Sequence, residues 1–340
     1  MRRPADSDGS IEWALTTWEG SRREQLRRWA ALPLGRTIAA LEEMGDLAEA
    51  LRPASPAGQA LLDGAPFWKM SGGGNDFVVF DNRAGWFPKG RPEVVAALCA
   101  RGLGVGADAV LLLEPARGGD ADFRMTYYNA DGSEAPMCGN GALCIARFAG
   151  ELGLARNGAV DFETGAGDYH AELSAERPSR VRLLMREPRD VRASLAEIEA
   201  LGYSHAGFAD TGTPHLIVLV PDVARVDVAG KGAELRRHPL FQPRGTNVSF
   251  IGVLGRRELA IRTYEKGVEA ETLSCGTGAT AAAILTHLWG LTEPPVVVHP
   301  PGGFDLTSRF ERAADRFTGV TLEGDARIVF EGRLPAADRS

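Results

Sequence analysis

The nonapeptides CGNGALCIA, at residues 138–146, and CGTGATAAA, at residues 275–283, are two versions of one pattern. Cysteine, both glycines and two alanines fall in register, and the two cysteines, Cys138 and Cys275, lie 137 residues apart. A second match keeps this spacing. In MTYYNADGSEAPMC and IRTYEKGVEAETLSC a strand-like run ending in tyrosine, Tyr128 or Tyr264, precedes the cysteine by ten or eleven residues. A third pairs GGNDFVVF with GTPHLIVL, each a polar turn feeding an apolar run, at an offset of 139. An offset that barely drifts marks a duplicated unit. The chain is expected to fold as two similar halves, roughly residues 66–195 and 200–334, each contributing one cysteine.

Within the halves, short apolar runs are broken by glycine turns: DFVVFDN, AVLLLEP and FRMTYYN, then HLIVLV, VSFIGV, LAIRTYE and PVVVHP. These predict strands. RPEVVAALCARG and the stretches after Cys138 and Cys275 predict helices, giving an α/β or α+β pattern. Residues 1–62 have a different texture. REQLRRWAAL and RTIAALEEMGDLAEAL read as two helices separated at Pro33, with Ile38, Leu41, Met44, Ala48 and Leu51 near one apolar stripe. RPASPAGQ then reads as a linker to the main body.

The balance of residues narrows the function. A chain of 340 residues with 44 % hydrophobic and 24 % charged residues can bury a sizeable core. A net charge of −7 and a pI near 5.5 argue against a nucleic-acid partner, which is held by clustered Lys and Arg. The N-terminal MRRPADSDGS has no apolar signal core and no 18-residue uncharged apolar run follows, so a cytoplasmic protein with no membrane partner is expected. Four cysteines, Cys99, Cys138, Cys144 and Cys275, are too few and too irregular for a disulfide framework or a zinc site. No metal is expected. Cys99, in an apolar helical run, and Cys144, six residues beyond Cys138, read as core.

Cys138 and Cys275 read differently, because each stands where a glycine-rich turn opens a helix. A free thiol, with a pKa of about 8.5, is mostly protonated at neutral pH and needs help to act as a base. The positive end of a helix favours an anion by roughly 0.3 to 1 kcal/mol, and its free amides can also hold a carboxylate. Two such half-sites suit inversion of a carbon centre, in which one group removes a proton from one face and another delivers a proton to the opposite face. A cysteine nucleophile with a histidine partner would leave the second copy unexplained. His215 in GTPH and Glu265, ten residues before Cys275, are candidate tuning groups. Asn75, Asn129 and Asn247 stand at polar turns beside strands.

The motifs GGGNDFVVFDNR, RGLGVGADAVLLLEP, YNADGSEAPMCGNG, GTPHLIV, HPLFQPRGTNVSF and TYEKGVEAETLSCGTG resemble, in order and spacing, those of the diaminopimelate epimerases over about residues 67–334. The resemblance implies an α+β fold of two pseudo-symmetric domains, each a curled, barrel-like sheet around a central helix, with the active site in the cleft between them. Domain limits of 66–195 and 200–320 are expected, with residues 320–334 returning as a strand to the first domain and residues 1–62 as a helical extension and linker. The resemblance further implies cofactor-independent epimerisation of LL-2,6-diaminopimelate to the meso form, by a homodimer. Cys138 and Cys275 would be the two bases, with His215 assisting Cys138 and Glu265 assisting Cys275. Asn75, Asn129, Gly139, Asn140, Thr213, Asn247, Lys266, Gly276 and Thr277 would bind this small amino-acid substrate. The pattern differs from the family at Lys266, where arginine is usual, at Thr213, where asparagine is common, and at Ala109 and Leu143.

Overall fold

The computed structural model describes residues 62–314 and 316–335, so the expected helical extension lies, but for Leu62, outside the described residues. The first half carries strands β1 (Pro66–Gly72), β2 (Asn75–Asp81), β3 (Ala109–Glu114), β4 (Phe123–Asn129), β5 (Glu134–Ala135), β6 (Ala159–Thr164), β7 (Gly167–Leu173), β8 (Arg180–Leu184) and β9 (Arg189–Arg192). The second carries β10 (Ala206–Asp210), β11 (Pro214–Leu219), β12 (Asn247–Gly255), β13 (Glu258–Glu265), β14 (Ala270–Thr272), β15 (Val296–His299), β16 (Leu306–Ala313) and β17 (Arg316–Arg333). Among the described residues the helices of four residues or more are α1 (Pro92–Cys99), α2 (Gly139–Glu151), α3 (Ala196–Glu199), α4 (Val228–Arg236) and α5 (Gly276–Leu288).

Strand pairing shows the duplication directly. In the first half β1 pairs with β2, β2 runs parallel to β3, β3 pairs with β4, β4 runs parallel to β6, and β7 and β8 follow. The second half repeats this sequence of antiparallel and parallel contacts through β10, β11, β12, β13, β15 and β16. One strand joins the two. Residues 316–323 of β17 pair with β16, residues 321–325 pair with β8, and residues 326–333 pair with β1. The last two contacts close the first half into an eight-stranded barrel and remove its edges. In return β9, from the first half of the chain, pairs with β10 of the second.

Each sheet wraps one helix. α2 touches β1, β2, β3, β7, β8 and β17, while α5 touches β10, β11, β12, β13, β15 and β16. A helix enclosed in this way must be apolar on nearly every face, and in α5 every residue from Gly278 to Thr286 is buried. Its threonines satisfy themselves along the helix: the hydroxyls of Thr280 and Thr286 donate to the carbonyls of Gly276 and Ala282. The alanine-rich sequence allows the close approach of the surrounding strands. The first barrel instead fills its interior with aromatic rings, Phe123 and Phe162 stacking at 5.1 Å and 3°. Both are fully buried.

Because Phe162 is fully buried and stacked between Phe123 and Tyr169, Phe162→Ala is expected to destabilise the protein by about 3 to 5 kcal/mol. Urea unfolding of the variant beside wild type measures this. A loss below about 1 kcal/mol would show that the barrel interior can close around the cavity.

Candidate active site

The two expected cysteines occupy equivalent backbone positions. Cys138 precedes α2 at φ −136°, ψ 128°, and Cys275 precedes α5 at φ −137°, ψ 107°, both extended. The short ribbons β4–β5 and β13–β14 deliver the chain to these points. Neither side chain forms a capping hydrogen bond. The helix amides act on the thiols electrostatically instead. Burial pushes the Cys138 thiol up from its ordinary value, and the amides of Gly141 and Asn140 offset part of that rise. Burial and the Glu265 carboxylate push Cys275 well up, against the Thr277 hydroxyl and the Gly278 amide. Glu265 raises both thiols, so the two cysteines of the two halves share the field of one carboxylate.

Around Cys275 the polar groups form a chain. His215 sits on β11, fully buried, and parallel pairing sets it beside Asn247 on β12. Its Nε2 lies 2.9 Å from the Thr277 hydroxyl, 3.1 Å from that of Thr213 and 3.4 Å from Asn247 Nδ2. The Thr277 hydroxyl lies 3.5 Å from Cys275 Sγ. Gly278 makes this possible, since a Cβ there would stand 3.2 Å from both the His215 ring and the Ser249 hydroxyl. Burial lowers the His215 pKa to about 3, so the ring is neutral. Glu265 accepts from the Thr272 hydroxyl at 2.8 Å and from the Cys275 thiol, while burial raises its own pKa. The expected pairing of Glu265 with Cys275 is thus present, but His215 stands in the Cys275 half and none of its hydrogen bonds reaches Cys138. Lys266 donates its backbone amide to Asn247 Oδ1 at 2.8 Å and its ammonium to the Arg244 carbonyl at 3.2 Å.

The Cys138 half is built from neutral groups over a charged base. Asn140 Nδ2 donates to Asn75 Oδ1 at 2.9 Å and to the Gly73 carbonyl at 3.0 Å. Gly73 has φ +56°, and a Cβ there would fall 2.1 Å from Asn140 Oδ1, so only glycine allows this overlay. Asn75 Nδ2 donates to Asp108 at 3.0 Å. Asp108 and Asp76 are bridged by Arg101, at 2.8 and 2.6 Å, and Asp76 also takes the buried Lys69 at 2.7 Å. Asn129 is set apart from these, closing its own turn through Ser133 at 3.0 Å. The sequence reading missed Asp108, Thr272 and Tyr127, whose hydroxyl faces the Cys138 sulfur. Period-two alternation along FRMTYYN would have set Tyr127 on the face of Phe123 and Met125.

A family model for diaminopimelate epimerase matches residues 67–191 and 207–329, both cysteines included. The chain belongs to the diaminopimelate epimerase family. A diaminopimelate epimerase of Aquifex aeolicus is 42 % identical over 279 residues, 79 % of this chain and 97 % of that protein. One from Chlorobaculum tepidum is 42 % identical over 267 residues, 78 % of this chain and 99 % of that one. Among solved structures, a Bacillus anthracis protein of the phenazine-biosynthesis PhzF family superposes with a TM-score of 0.59 at 14 % identity, covering 79 % of this chain and 98 % of its own. A probable proline racemase from Agrobacterium radiobacter superposes with a TM-score of 0.56 at 16 % identity, covering 81 % and 94 %. These neighbours share the two-domain fold of the family. No helix among the described residues is long and apolar enough to cross a membrane. None of their His, Cys, Asp and Glu residues group to hold a metal ion.

His215 makes acid stability a test of this geometry. In the unfolded chain the ring takes a proton near pH 6.5, whereas in the folded protein it stays neutral down to about 3. Between those values the unfolded state binds more protons, so stability falls as pH falls through this window. His215→Gln should flatten the fall in melting temperature between pH 7 and pH 5. An unchanged slope would mean that the ring is not held neutral by burial.

Proposed function

We propose that this protein interconverts the LL and meso forms of 2,6-diaminopimelate without a cofactor, one cysteine taking the α-proton as its partner returns a proton from the opposite side. The observation that carries this reading is the pair of helix-opening cysteines, equal in backbone geometry and sharing Glu265, in a member of this family. The chemistry needs one thiolate and one thiol at the start of each turnover. The surroundings differ in the way this needs: the thiol of Cys275 donates to Glu265, which opposes its ionisation against the Thr277 hydroxyl and the Gly278 amide, while the groups nearest Cys138 are donors. Buried thiols are strong bases once ionised, which suits removal of a weakly acidic α-proton.

The free amides of Gly139, Asn140, Gly276 and Thr277 are suited to the substrate's α-carboxylate. Asn75, Asn129, Thr213 and Asn247 would take its remaining ammonium and carboxylate groups, and Lys266 a carboxylate as a point charge rather than a bidentate fork. His215 would hold Thr277, and through it Cys275, in place. The catalytic halves are residues 66–195, completed by 320–334, and 200–320. The enzyme would work as a cytoplasmic homodimer, where reducing conditions keep both thiols free.

Proton exchange at the α-carbon of diaminopimelate in D2O, followed by NMR, tests the proposal. Wild type should exchange and epimerise it, and Cys138→Ala and Cys275→Ala should each lose at least about a hundredfold in epimerisation, the lower end of what a positioned acid or base contributes. The change from arginine to Lys266 makes a panel of other amino acids the necessary companion. Exchange of another member of the panel with none of diaminopimelate would replace this substrate, and full activity in both alanine variants would remove the two-thiol mechanism.

A further inference from the structure

The duplication shows what is unusual about Tyr127. Antiparallel pairing sets Tyr127 on β4 directly opposite Leu111 on β3, as it sets Thr263 on β13 opposite Ser249 on β12. Directly opposed residues share a face of the sheet, and here that face looks at the start of the enclosed helix. Leu111 and Met125, two residues before Tyr127 on the same strand, both lie 3.2 Å from where a Gly141 Cβ would stand. Ser249 lies at 3.2 Å from the equivalent point on Gly278. In the second half the two hydroxyls at this place satisfy each other, Ser249 and Thr263 being 2.9 Å apart. In the first half Leu111 offers the tyrosine nothing polar. Tyr127 packs against the same core cluster as Cys138, whereas Tyr128 points to the opposite face and stacks on Phe87 at 6.4 Å.

We propose that Tyr127 is a further catalytic group, its hydroxyl donating a hydrogen bond to the Cys138 sulfur while that sulfur carries the negative charge. The half without a carboxylate or histidine of its own beside the thiol thus uses a phenol as a donor, added to the field of the Gly141 and Asn140 amides. The phenol is suited to this because burial, Cys138 and the nearby Asp108 and Cys99 all oppose its ionisation, so it stays a donor. The other ionisable groups acting on this pair are Glu265, which raises Cys138, and Cys144, which is fully buried on the same helix and pushed well up by burial.

The proposal deepens the two-thiol reading, so its test is read on the thiol and not on turnover. Alkylation of Cys138 by iodoacetamide, followed against pH by peptide mass mapping without substrate, reports the thiolate at that position. Tyr127→Phe keeps the ring and removes the hydroxyl. It should slow Cys138 alkylation at pH 7.5 about tenfold to a hundredfold, as expected for losing one hydrogen bond to a charged sulfur, and move the profile to higher pH. Tyr128→Phe should leave the profile in place. In the epimerase assay, Tyr127→Phe should lower kcat and shift its acid limb upward with little change in KM. A Cys138 profile that superposes on wild type in Tyr127→Phe would overturn the proposal, whatever the substrate proves to be. A moved profile in a protein inactive on diaminopimelate would support Tyr127 and reject the substrate. Should Tyr127→Phe not fold, 3-fluorotyrosine at position 127 keeps the ring and sharpens the donor. The profile must then move to lower pH, and a stationary one overturns the proposal equally.

Discussion

The first amides of a helix have no partner within the helix, and this molecule begins two helices within the field of one carboxylate. A serine or aspartate at these positions would satisfy the amides within the protein. Cysteine does not, and neither Cys138 nor Cys275 forms a capping hydrogen bond. The unsatisfied ends therefore favour negative charge, whether thiolate or bound carboxylate. The rest of the architecture serves to hold them. A closed barrel wraps α2 and the sheet of the second half wraps α5, short ribbons fix the entry of each cysteine, and β17 ties the two halves together.

The scaffold is duplicated while the chemistry is not. Parallel pairing aligns Phe77 with Ala109 in the first half and His215 with Asn247 in the second, so a buried ring and a methyl stand where the second half has an imidazole and an amide. Asn140 occupies the place of Thr277, and Asn129 follows Tyr128 as Glu265 follows Tyr264. A perfectly symmetric pair of thiols would ionise without preference and repel each other when both were charged. Setting a hydrogen-bonded carboxylate, Glu265, against the Cys275 thiol alone removes that degeneracy. The cost is a buried carboxylate whose protonated form burial favours, so that the site is least comfortable when it is ready to act.

What could be read from the sequence was what short-range signals encode. The glycine turns before α2 and α5 and the apolar runs of β2, β3, β4, β11, β12, β13 and β15 state their structures locally. Strands such as β7, GDYHAEL, and β17, with its exposed charges, do not, because half-exposed strands of a closed barrel carry polar residues on the outer face. Closure pairs Lys69 with Phe330, a contact no local pattern contains, and only family resemblance pointed to the returning strand. Side-chain partners were hardest. The hydrogen bonds of His215 to Thr213, Asn247 and Thr277 cannot be read locally, because its neighbours are set by the register of β11 on β12 and by the space above Gly278. Tyr127 was overlooked beside Tyr128, the residue that the repeat made conspicuous.

The charged group beneath Asn75 shows why so many buried ions are placed where stability alone would not put them. Lys69 is only 7 % exposed, and taking its ammonium out of water costs more than an apolar residue of similar size would. Its pairing with Asp76, which Arg101 also binds, holds that carboxyl ionised down to about 2 despite the burial that opposes it. Asp76 in turn accepts from the Asp108 amide at 3.1 Å, while Asp108 accepts from the Asp76 amide at 3.2 Å and from Asn75 at 3.0 Å. With Asp108 acceptor-only, Asn75 must turn its nitrogen downward and its oxygen toward Asn140. The ion pairs thus fix which end of an uncharged amide meets the helix start beside Cys138, and an amide fixed before substrate arrives spends no binding energy on being oriented.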